Sequence, residues 1–441
     1  MDLFEQFIRE HGEDDTARLL LARDRWPDID MDLAVHTIEG RRRIRRKLPD
    51  WYGTPGLVFP TAFCTQQSSS SATAAYKAAL AGRTGARVIY DLTGGLGVDS
   101  AAFARIADRV FYLERDLLLA RYAPDNFAKL GCGNITVLCR DCTDGPLPWE
   151  ETGVPPQLVY LDPARRTADG SKVFRLEDGV PDIRPYVADW LEASPHLLLK
   201  LSPMADVTRT VRQLDEAAGR PCIREIHAVQ AGGECKELLF WLDRTWEEGP
   251  VLLAADAVSG AVLSFRAEEE KSQVPRLLPA SRNAGTELTG KLLFEPGKAL
   301  AKTGCFNTLC SRFNLMKLGY STQLYLAEAP VEAITPLGKW FRIREVCPLG
   351  GRSCQETGRR FPHAAVSARN LPLSSEQLAR KMGIGARRRP DTDLQDRSDD
   401  ADHVFGCTLD FQSGLPDRVL LVTRRHTLTE PVYSPPEKKS V

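Results

Sequence analysis

The sequence predicts an α/β protein: a central domain built on a parallel β-sheet, a helical domain before it and two small α+β domains after it. Between Arg87 and Arg244, short apolar segments that suit strands alternate with segments of helical periodicity. Such alternation is typical of a parallel sheet with helices on both faces. The last two strands are joined only by AGGECK, which is too short for a parallel crossover, so we expect them to pair antiparallel.

The composition is that of an ordinary globular protein. The chain has 441 residues, enough for roughly three domains. It carries 58 basic and 59 acidic residues, so a nucleic-acid-binding surface would have to be a local patch. The first residues lack the features of a signal peptide, and no uncharged apolar run reaches the roughly 18 residues of a membrane span. The 11 cysteines follow no framework spacing, and these features together predict a cytoplasmic protein without disulfides or a metal site.

The predicted domain boundaries follow changes in periodicity. Apolar residues recur at helical spacing through residues 1–80, and residues 81–246 hold the α/β alternation. Residues 247–332 and 333–428 mix strands with short helices, which predicts the two α+β domains. In the second of these ranges, Ser374 and Gln377 stand at capping-box spacing, and the segments HVFGCTLDF and DRVLLVTRR predict a hairpin. A disordered tail is expected at residues 429–441.

A basic run stands out in the amino-terminal helical domain. Six cations occupy positions 41–47, namely Arg41, Arg42, Arg43, Arg45, Arg46 and Lys47. Two interpretations stay open. Such a run is commonly a solvated helix face, and clustered Arg and Lys also bind the phosphates of nucleic acids.

The stretch RVIYDLTGGLGVDS, residues 87–100, places an acid directly before a glycine-rich turn. A dinucleotide fingerprint needs a third glycine where Ser100 stands, and Asp91 would repel a pyrophosphate. S-adenosylmethionine instead carries a sulfonium and an ammonium, which a carboxylate attracts. Glycines at 94, 95 and 97 would let the backbone approach this ligand closely. The stretch therefore favours S-adenosylmethionine as the cofactor.

Acidic residues follow four successive predicted strands: Asp91, Glu114, Asp141 and Asp162. The carboxyl ends of parallel strands meet at one edge of a sheet, where ligands bind. Glu114 lies near the offset of about 20 residues at which a second-strand acid binds ribose hydroxyls. Asp141 is placed to accept a hydrogen bond from an adenine amino group.

Together these residues resemble the class I S-adenosylmethionine-dependent methyltransferases, whose catalytic-loop motif matches Asp162-Pro163. Most of the chain resembles bacterial RNA methyltransferases with a ferredoxin-like insert and a carboxy-terminal THUMP-like domain, through KLPDWY, QQSSSSATAAYKA, DLTGGLGVDS, LDPARR, LLLKLSPM and GECKELL in order. The resemblance implies a Rossmann-like methyltransferase domain at 81–246, a ferredoxin-like domain at 247–332 and a THUMP-like domain at 333–428. It implies cofactor contacts from Asp91, Thr93, Gly94, Gly95, Gly97, Asp99, Glu114, Arg115, Asp141 and Cys142.

The catalytic loop predicts which atom accepts the methyl group. Methylases of exocyclic amines carry Asp or Asn, two prolines and an aromatic residue at this loop. Here Asp162 and Pro163 are retained and the aromatic residue is lost, so Arg165 or Arg166 would have to stack on the base or bind a phosphate. The predicted catalytic residues are Asp162, Pro163 and Arg165.

Other side chains near the strand ends leave narrower alternatives. Methylation at carbon-5 of a pyrimidine needs an activated cysteine, and the fifth strand ends at Ser202 instead. Cys235 is more typical of an inert hairpin cysteine. Lys200 and Lys236 either line the acceptor site or are ordinary strand-end charges.

The sequence thus predicts a methyltransferase acting on a base nitrogen of RNA, either rRNA or tRNA. The RNA would bind through the basic amino-terminal helix and the carboxy-terminal domain, whose cations are Arg387, Arg388, Arg389, Arg424 and Arg425. Two alternatives are a non-catalytic RNA-binding or ribosome-assembly protein that keeps the fold, and a dinucleotide-dependent oxidoreductase.

Overall fold

The computed structural model of the chain describes residues 3–164, 175–279, 287–385, 402–409 and 417–426. The chain divides into two compact units. The first comprises Met1–Leu253 with Ala257–Gly260, and the second Ala254–Asp256 with Ala261–Val441. The predicted tail at 429–441 lies outside the described residues. None of the helices in the described ranges combines the length and apolar character needed to cross a membrane.

The first unit begins with six helices, as the periodicity of residues 1–80 predicts. Asp30 accepts a hydrogen bond from the Leu33 amide and so caps the third helix, while Ser70 and Thr73 form a capping box at the sixth. The helices are α1 (Leu3–Glu10), α2 (Thr16–Leu21), α3 (Met31–Ile44), α4 (Pro49–Gly53), α5 (Ala62–Gln67) and α6 (Ser71–Gly82), with a 3-10 turn at Arg23–Arg25.

The centre of the first unit is formed by seven strands of a nine-stranded sheet, and these seven follow the order β3-β2-β1-β4-β5-β7-β6. The first five strands are parallel, and β7 runs antiparallel to both β5 and β6, which confirms the predicted antiparallel end. The strands are β1 (Val88–Asp91), β2 (Arg109–Glu114), β3 (Ile135–Cys139), β4 (Leu158–Leu161), β5 (His196–Leu201), β6 (Ile223–Ala231) and β7 (Glu234–Asp243).

Helices connect the parallel strands. They are α7 (Val98–Phe103), α8 (Leu117–Lys129), α9 (Pro148–Thr152), α10 (Val187–Ala193) and α11 (Val207–Ala218), with 3-10 turns at Leu176–Asp178 and Arg184–Tyr186. The amino-terminal helices share the core of this sheet. One cluster joins Trp51 and Phe59 to Tyr112 and Phe127, and another joins Leu80 of α6 to the strands. Burial of these apolar side chains attaches the helical region to the sheet.

The second unit contains a seven-stranded sheet in the order β11-β12-β10-β13-β16-β15-β14. Strand β8 (Val251–Asp256) lies at the boundary of the two units. The following elements are β9 (Val262–Arg266), α12 (Ala267–Ser272), β10 (Leu292–Pro296), α13 (Lys298–Thr303), α14 (Asn307–Phe313), β11 (Met316–Lys317), β12 (Tyr325–Ala327), a 3-10 turn at Glu332–Leu337, β13 (Gly338–Pro348), α15 (Gly351–Arg360), β14 (Ala365–Arg369), α16 (Ser375–Lys381), β15 (Asp402–Leu409) and β16 (Asp417–Arg425).

Local predictions for this unit hold where the structure describes them. Ser374 and Gln377 form the expected capping box, and β15 and β16 pair antiparallel as predicted. The sheet draws strands from both predicted α+β ranges, 247–332 and 333–428. The division into a ferredoxin-like and a THUMP-like domain stays a prediction, as do the other boundaries.

Candidate functional site

The four strand-end acids lie along one edge of the first unit's sheet. Strands β3, β2, β1 and β4 are neighbours and run parallel, so their carboxyl ends meet. Asp141, Glu114, Asp91 and Asp162 therefore follow one another along this edge, which we call the catalytic edge. Its position is the one at which open α/β sheets bind their ligands.

Asp91 supports the glycine-rich loop from within. Its side chain is 1% exposed. The Thr93 amide donates to one carboxylate oxygen at 3.1 Å and the Ser100 hydroxyl donates to the other at 2.6 Å. Burial, reinforced by the nearby carboxylates of Asp99 and Asp162, raises the pKa of Asp91 to about 7. Asp91 thus shapes the loop through hydrogen bonds, in addition to any attraction for a cationic ligand.

The raised pKa of Asp91 predicts a pH dependence of stability. Because the folded state binds a proton that the unfolded state releases at about pH 4, Asp91 favours folding at low pH and loses this contribution as the pH rises toward 7. We expect Asp91→Asn, which mimics the protonated carboxyl, to remove up to about 1.4 kcal/mol per pH unit of this slope. Urea unfolding of both proteins at a series of pH values between about 4 and about 7, the window between the unfolded and the folded pKa of Asp91, measures it. Equal slopes would contradict the assignment.

Strand β2 holds the loop in place. The Gly95 amide donates to Glu114 at 2.7 Å, and the Asp116 amide donates to the other oxygen of the same carboxylate at 2.8 Å. The Tyr112 hydroxyl donates to the Gly95 carbonyl. Burial raises the pKa of Glu114, although these amide hydrogen bonds oppose the shift.

The three glycines of the loop meet different requirements. A Cβ on Gly94 would lie 2.1 Å from the Tyr112 ring, and one on Gly97 would lie 2.5 Å from the Phe127 ring. Gly94 and Gly97 are therefore required by packing, whereas the sequence suggested approach to a ligand. Gly95 has φ +58° and would meet only the Thr93 carbonyl, at 3.9 Å. The space beside Gly95 is the part of the loop that is open to a ligand.

Asp141 and its neighbours extend the edge toward β3. The Thr143 amide and hydroxyl donate to one oxygen of Asp141 at 2.9 and 2.7 Å, and Arg115 lies 3.4 Å from the other. These contacts outweigh burial and hold the pKa of Asp141 below its usual range. Burial raises the pKa of Cys142 to about 12, so its sulfur is a thiol rather than a thiolate.

Asp162 is fixed at the end of β4 by two elements. Its amide donates to the Thr93 hydroxyl at 2.6 Å, and its carboxylate pairs with Lys200 of β5. The Lys200 side chain is 4% exposed and that of Asp162 is 26% exposed. Lys200 therefore lies in the site beside the predicted catalytic acid. Pro163 follows, and Arg165 and Arg166 lie outside the described residues.

A buried charge cluster lies behind the edge, and the sequence interpretation missed most of it. Lys77 of α6 is fully buried and donates to both oxygens of Glu237, at 2.8 and 2.9 Å, and to the Ser69 hydroxyl at 3.1 Å. Its Nζ lies 3.3 Å from Asp99, whose other oxygen accepts from Ser69 and Tyr160. The motifs QQSSSSATAAYKA and GECKELL supply these residues and are the signal that could have identified them.

Asp99 thus has its observed contacts within the protein. Burial opposes ionisation, but Lys77, Lys200 and the hydroxyls of Tyr160 and Ser69 hold the pKa of Asp99 below its usual range. Burial raises the pKa of Glu237 despite its contact with Lys77. The cofactor contact expected of Asp99 stays a prediction.

The side chains of the basic run at residues 41–47 make hydrogen bonds to nearby segments, and both interpretations of the run stay open. Helix α3 ends at Ile44, and four of the six side chains donate to oxygens of nearby segments. Arg41 donates to the carbonyls of Tyr52 and Thr54, Arg42 to those of Gly12 and Asp14, Arg43 to the Ala62 carbonyl and the Thr65 hydroxyl, and Lys47 to the carbonyls of Thr65 and Gln66. These acceptors are neutral, so they fix the cations without cancelling their charge.

The catalytic edge suits a cationic ligand with a nucleoside part. It offers carboxylates at four strand ends and an open space beside Gly95. In the part of the chain that the structure describes, no group of three or more His, Cys, Asp or Glu side chains is arranged to hold a metal ion.

Known proteins resemble the chain in both fold and sequence. A sequence profile of a ferredoxin-like domain matches residues 292–334. A crystal structure of a protein from Porphyromonas gingivalis W83, named a methyltransferase, covers 96% of this chain and 98% of its own at 27% identity with a TM-score of 0.76.

Two further relatives were found by sequence. An uncharacterized S-adenosylmethionine-dependent methyltransferase of Mycobacterium tuberculosis is 22% identical over 361 residues, which cover 80% of this chain and 89% of the relative. An uncharacterized RNA methyltransferase of Staphylococcus epidermidis is 31% identical over 136 residues, 30% of this chain and 29% of its own. The P. gingivalis structure confirms the predicted fold class, and the chain is a class I methyltransferase that uses S-adenosylmethionine as its cofactor.

Proposed function

We propose that the protein methylates a nitrogen of an RNA base, in rRNA or tRNA, and that Asp162 and Pro163 hold the acceptor. The observation that carries this proposal is the placement of Asp162. Its carboxylate is partly exposed at the catalytic edge, next to the loop that begins at Asp91, and its backbone is tied to that loop through Thr93. A fixed acceptor of hydrogen bonds at this point suits an amine that must be aimed at a methyl group.

S-adenosylmethionine, when bound, supplies a methyl group activated by the positive charge on sulfur. In this proposal Glu114 accepts hydrogen bonds from the ribose hydroxyls, and Asp141 and Cys142 contact the adenine. Arg115 holds Asp141 at 3.4 Å and so orients it. Asp91 and Thr93 shape the loop, and the open backbone at Gly95 takes the closest approach of the ligand.

The acceptor side favours nitrogen over carbon. A nitrogen lone pair attacks the methyl carbon directly: the nitrogen–carbon bond forms, the carbon–sulfur bond breaks, and the proton on nitrogen passes to Asp162 and then to solvent. Attack from carbon-5 would need a thiolate nucleophile. The Cys235 thiol instead lies 3.9 Å from the Glu237 carbonyl in a hairpin, which does not support that chemistry.

Several observations support RNA as the substrate. The S. epidermidis relative carries the name of an RNA methyltransferase. The fixed arginines of α3 keep their charge because their acceptors are neutral carbonyls and hydroxyls. In the second unit, Arg424 and Arg425 end strand β16, within the range proposed to be THUMP-like, while Arg387, Arg388 and Arg389 lie outside the described residues.

The test is methyl transfer to RNA by variants of Asp162. We expect Asp162→Ala to lower kcat about tenfold or more, because the acceptor loses a charged hydrogen-bond partner. Asp162→Asn keeps an acceptor oxygen and should fall between Ala and wild type. Transfer of a tritiated methyl group to total RNA from a strain that lacks the gene measures this.

The control is Asp125→Ala, which removes an exposed carboxylate that pairs with Lys129 on α8. This variant should transfer methyl groups at the wild-type rate. Calorimetric titration should show that both Asp162 variants still bind S-adenosylmethionine. Unchanged kcat in Asp162→Ala, or label that appears in protein and not in RNA, would refute the proposal.

A further inference from the structure

The segment between helices α5 and α6 is attached to the catalytic edge. Ser69 donates to Asp99 at 2.9 Å and accepts from Lys77 at 3.1 Å. Asp99 opens the helix that follows the glycine-rich loop, and its other hydroxyl partner is Tyr160, two residues before Asp162. Residues 65–71 are therefore held beside the acceptor side of the site.

Lys47 is tied to this segment by three hydrogen bonds. Its Nζ donates to the carbonyls of Thr65 at 3.2 Å and Gln66 at 3.4 Å, and its own carbonyl accepts from the Ser71 amide at 3.0 Å. Arg43 reaches the same segment, since it donates to the Thr65 hydroxyl at 3.1 Å. Two cations of the basic run are thus positioned at the site by contacts within the first unit.

Two lysines of the sheet lie at the same edge. Lys200 is the penultimate residue of β5 and pairs with Asp162. Strand β7 is antiparallel to β5, with Leu201 opposite Leu238, so Lys236 lies just beyond the carboxyl end of β5. The Lys236 side chain is 45% exposed and contacts Glu234 at 2.7 Å.

Contacts of the buried Lys77 connect these cations, because Lys77 donates to Ser69, in the segment that Lys47 holds, and to Glu237, which follows Lys236 in β7. Burial, together with the charges of Lys200, Lys236 and Arg43, lowers the pKa of Lys47 to about 8, against the opposing effect of Asp99. Asp162 and Glu234 offset part of the charge of Lys200 and Lys236, and a phosphate would offset more of the charge of this group. Lysines are compact point charges that suit phosphate.

We infer that Lys47 and Lys236 form a subsite for a backbone phosphate of RNA, beside the Asp162–Lys200 pair. This inference rests on the proposed function and names the contact that would position the target nucleotide. The acceptor base would lie at Asp162 while its neighbouring phosphate is held by the two lysines. A protein substrate would offer no backbone phosphate next to its methyl acceptor.

The salt dependence of RNA binding tests the subsite. The probe is a fluorescein-labelled, mixed-sequence single-stranded RNA of about 12 nucleotides, comparable to the site sizes of single-strand-binding folds. Anisotropy titrations over a series of KCl concentrations give the slope of log Kd against log salt. We expect the double variant Lys47→Gln/Lys236→Gln to lower this slope by roughly 0.7, the value for one phosphate contact on a single strand. Lys236→Gln alone, at an exposed position, should move the slope in the same direction.

A second readout separates phosphate binding from a structural role of Lys47. Lys47 loses its charge as the pH rises through about 8, so wild-type affinity for the RNA should fall above that pH, by at most about tenfold per pH unit. The groups facing Lys47 are Arg43, Lys200, Lys236 and Asp99. Lys47→Gln should bind the RNA with no such fall between pH 7 and 9, a window of about one unit on either side of that pKa.

The matched control is Lys129→Gln. Lys129 also pairs with a surface carboxylate. It ends helix α8, which runs from the carboxyl end of β2 to the amino end of β3, so it lies at the opposite ends of the strands from the catalytic edge. It should leave the slope unchanged. If wild type binds RNA and the double variant keeps its slope, the subsite is wrong while the proposed function stands. If wild type binds no RNA, both are refuted.

Discussion

Lys77→Met is expected to lower the free energy of unfolding of the first unit by about 3–5 kcal/mol. Lys77 is fully buried and lies between Glu237 and Asp99, whose side chains are 3% and 11% exposed. Methionine fills a similar volume but leaves both carboxylates without their nearest cation. The cost is the desolvation of those charges, not the loss of packing. Urea unfolding followed by circular dichroism measures it, provided that the transitions of the two units are resolved.

The double variant Lys77→Met/Glu237→Gln identifies the cause. It removes the cation together with the carboxylate that contacts it through both oxygens, while Asp99 keeps its hydrogen bonds to Ser69 and Tyr160. The double variant should therefore be more stable than Lys77→Met alone, which is the signature of a paired buried charge. A single variant that loses less than about 1 kcal/mol would show that the pair is not desolvated.

The position of the catalytic edge was predictable because each strand end can be recognised from a short stretch of sequence. An acid directly after each of four apolar segments identifies strand ends, and parallel strands bring their ends together whatever the rest of the chain does. The antiparallel end of the sheet followed from one short connection between β6 and β7. The capping box at Ser374 and Gln377 followed from its spacing.

The buried cluster was not predictable by the same reasoning. Lys77 stands on an alanine-rich helix, where a lysine normally marks the solvated face. Its partner Glu237 stands on β7, 160 residues further along the chain, so no spacing in the sequence links the two. The contacts of the basic run were not predictable for a similar reason, because the acceptors are mostly backbone carbonyls, which carry no signature in the sequence.

The glycine-rich loop shows how one motif combines two requirements. Its sequence suggested that all three glycines serve a ligand, but Gly94 and Gly97 face aromatic rings that a Cβ would overlap. Tyr112 and Phe127 come from β2 and α8, so the clash depends on tertiary packing. Of the three glycines in this loop, only Gly95 combines a positive φ with open space around an added Cβ.

Gly94→Ala and Gly95→Ala should therefore fail in different ways. At Gly94 the new Cβ meets the fully buried Tyr112 ring, and overpacking should lower the free energy of unfolding by about 1–3 kcal/mol or more. At Gly95 the left-handed backbone costs only about 1–2 kcal/mol. Because the open side of Gly95 faces the space proposed for the cofactor, Gly95→Ala should weaken S-adenosylmethionine binding by about tenfold or more, the effect of losing roughly 1.4 kcal/mol.

Urea unfolding and calorimetric titration on the same samples separate the two effects. Gly94→Ala should cost less stability in a Tyr112→Val background than in wild type, since the smaller side chain gives the Cβ room, whereas the cost of Gly95→Ala should be similar in both backgrounds. Titration of S-adenosylmethionine into Gly95→Ala tests whether the cofactor binds beside this glycine. Wild-type affinity in a folded Gly95→Ala protein would mean that the cofactor does not approach the loop at Gly95, and the roles proposed for Glu114 and Asp141, at the ends of β2 and β3, would then lack their common ligand.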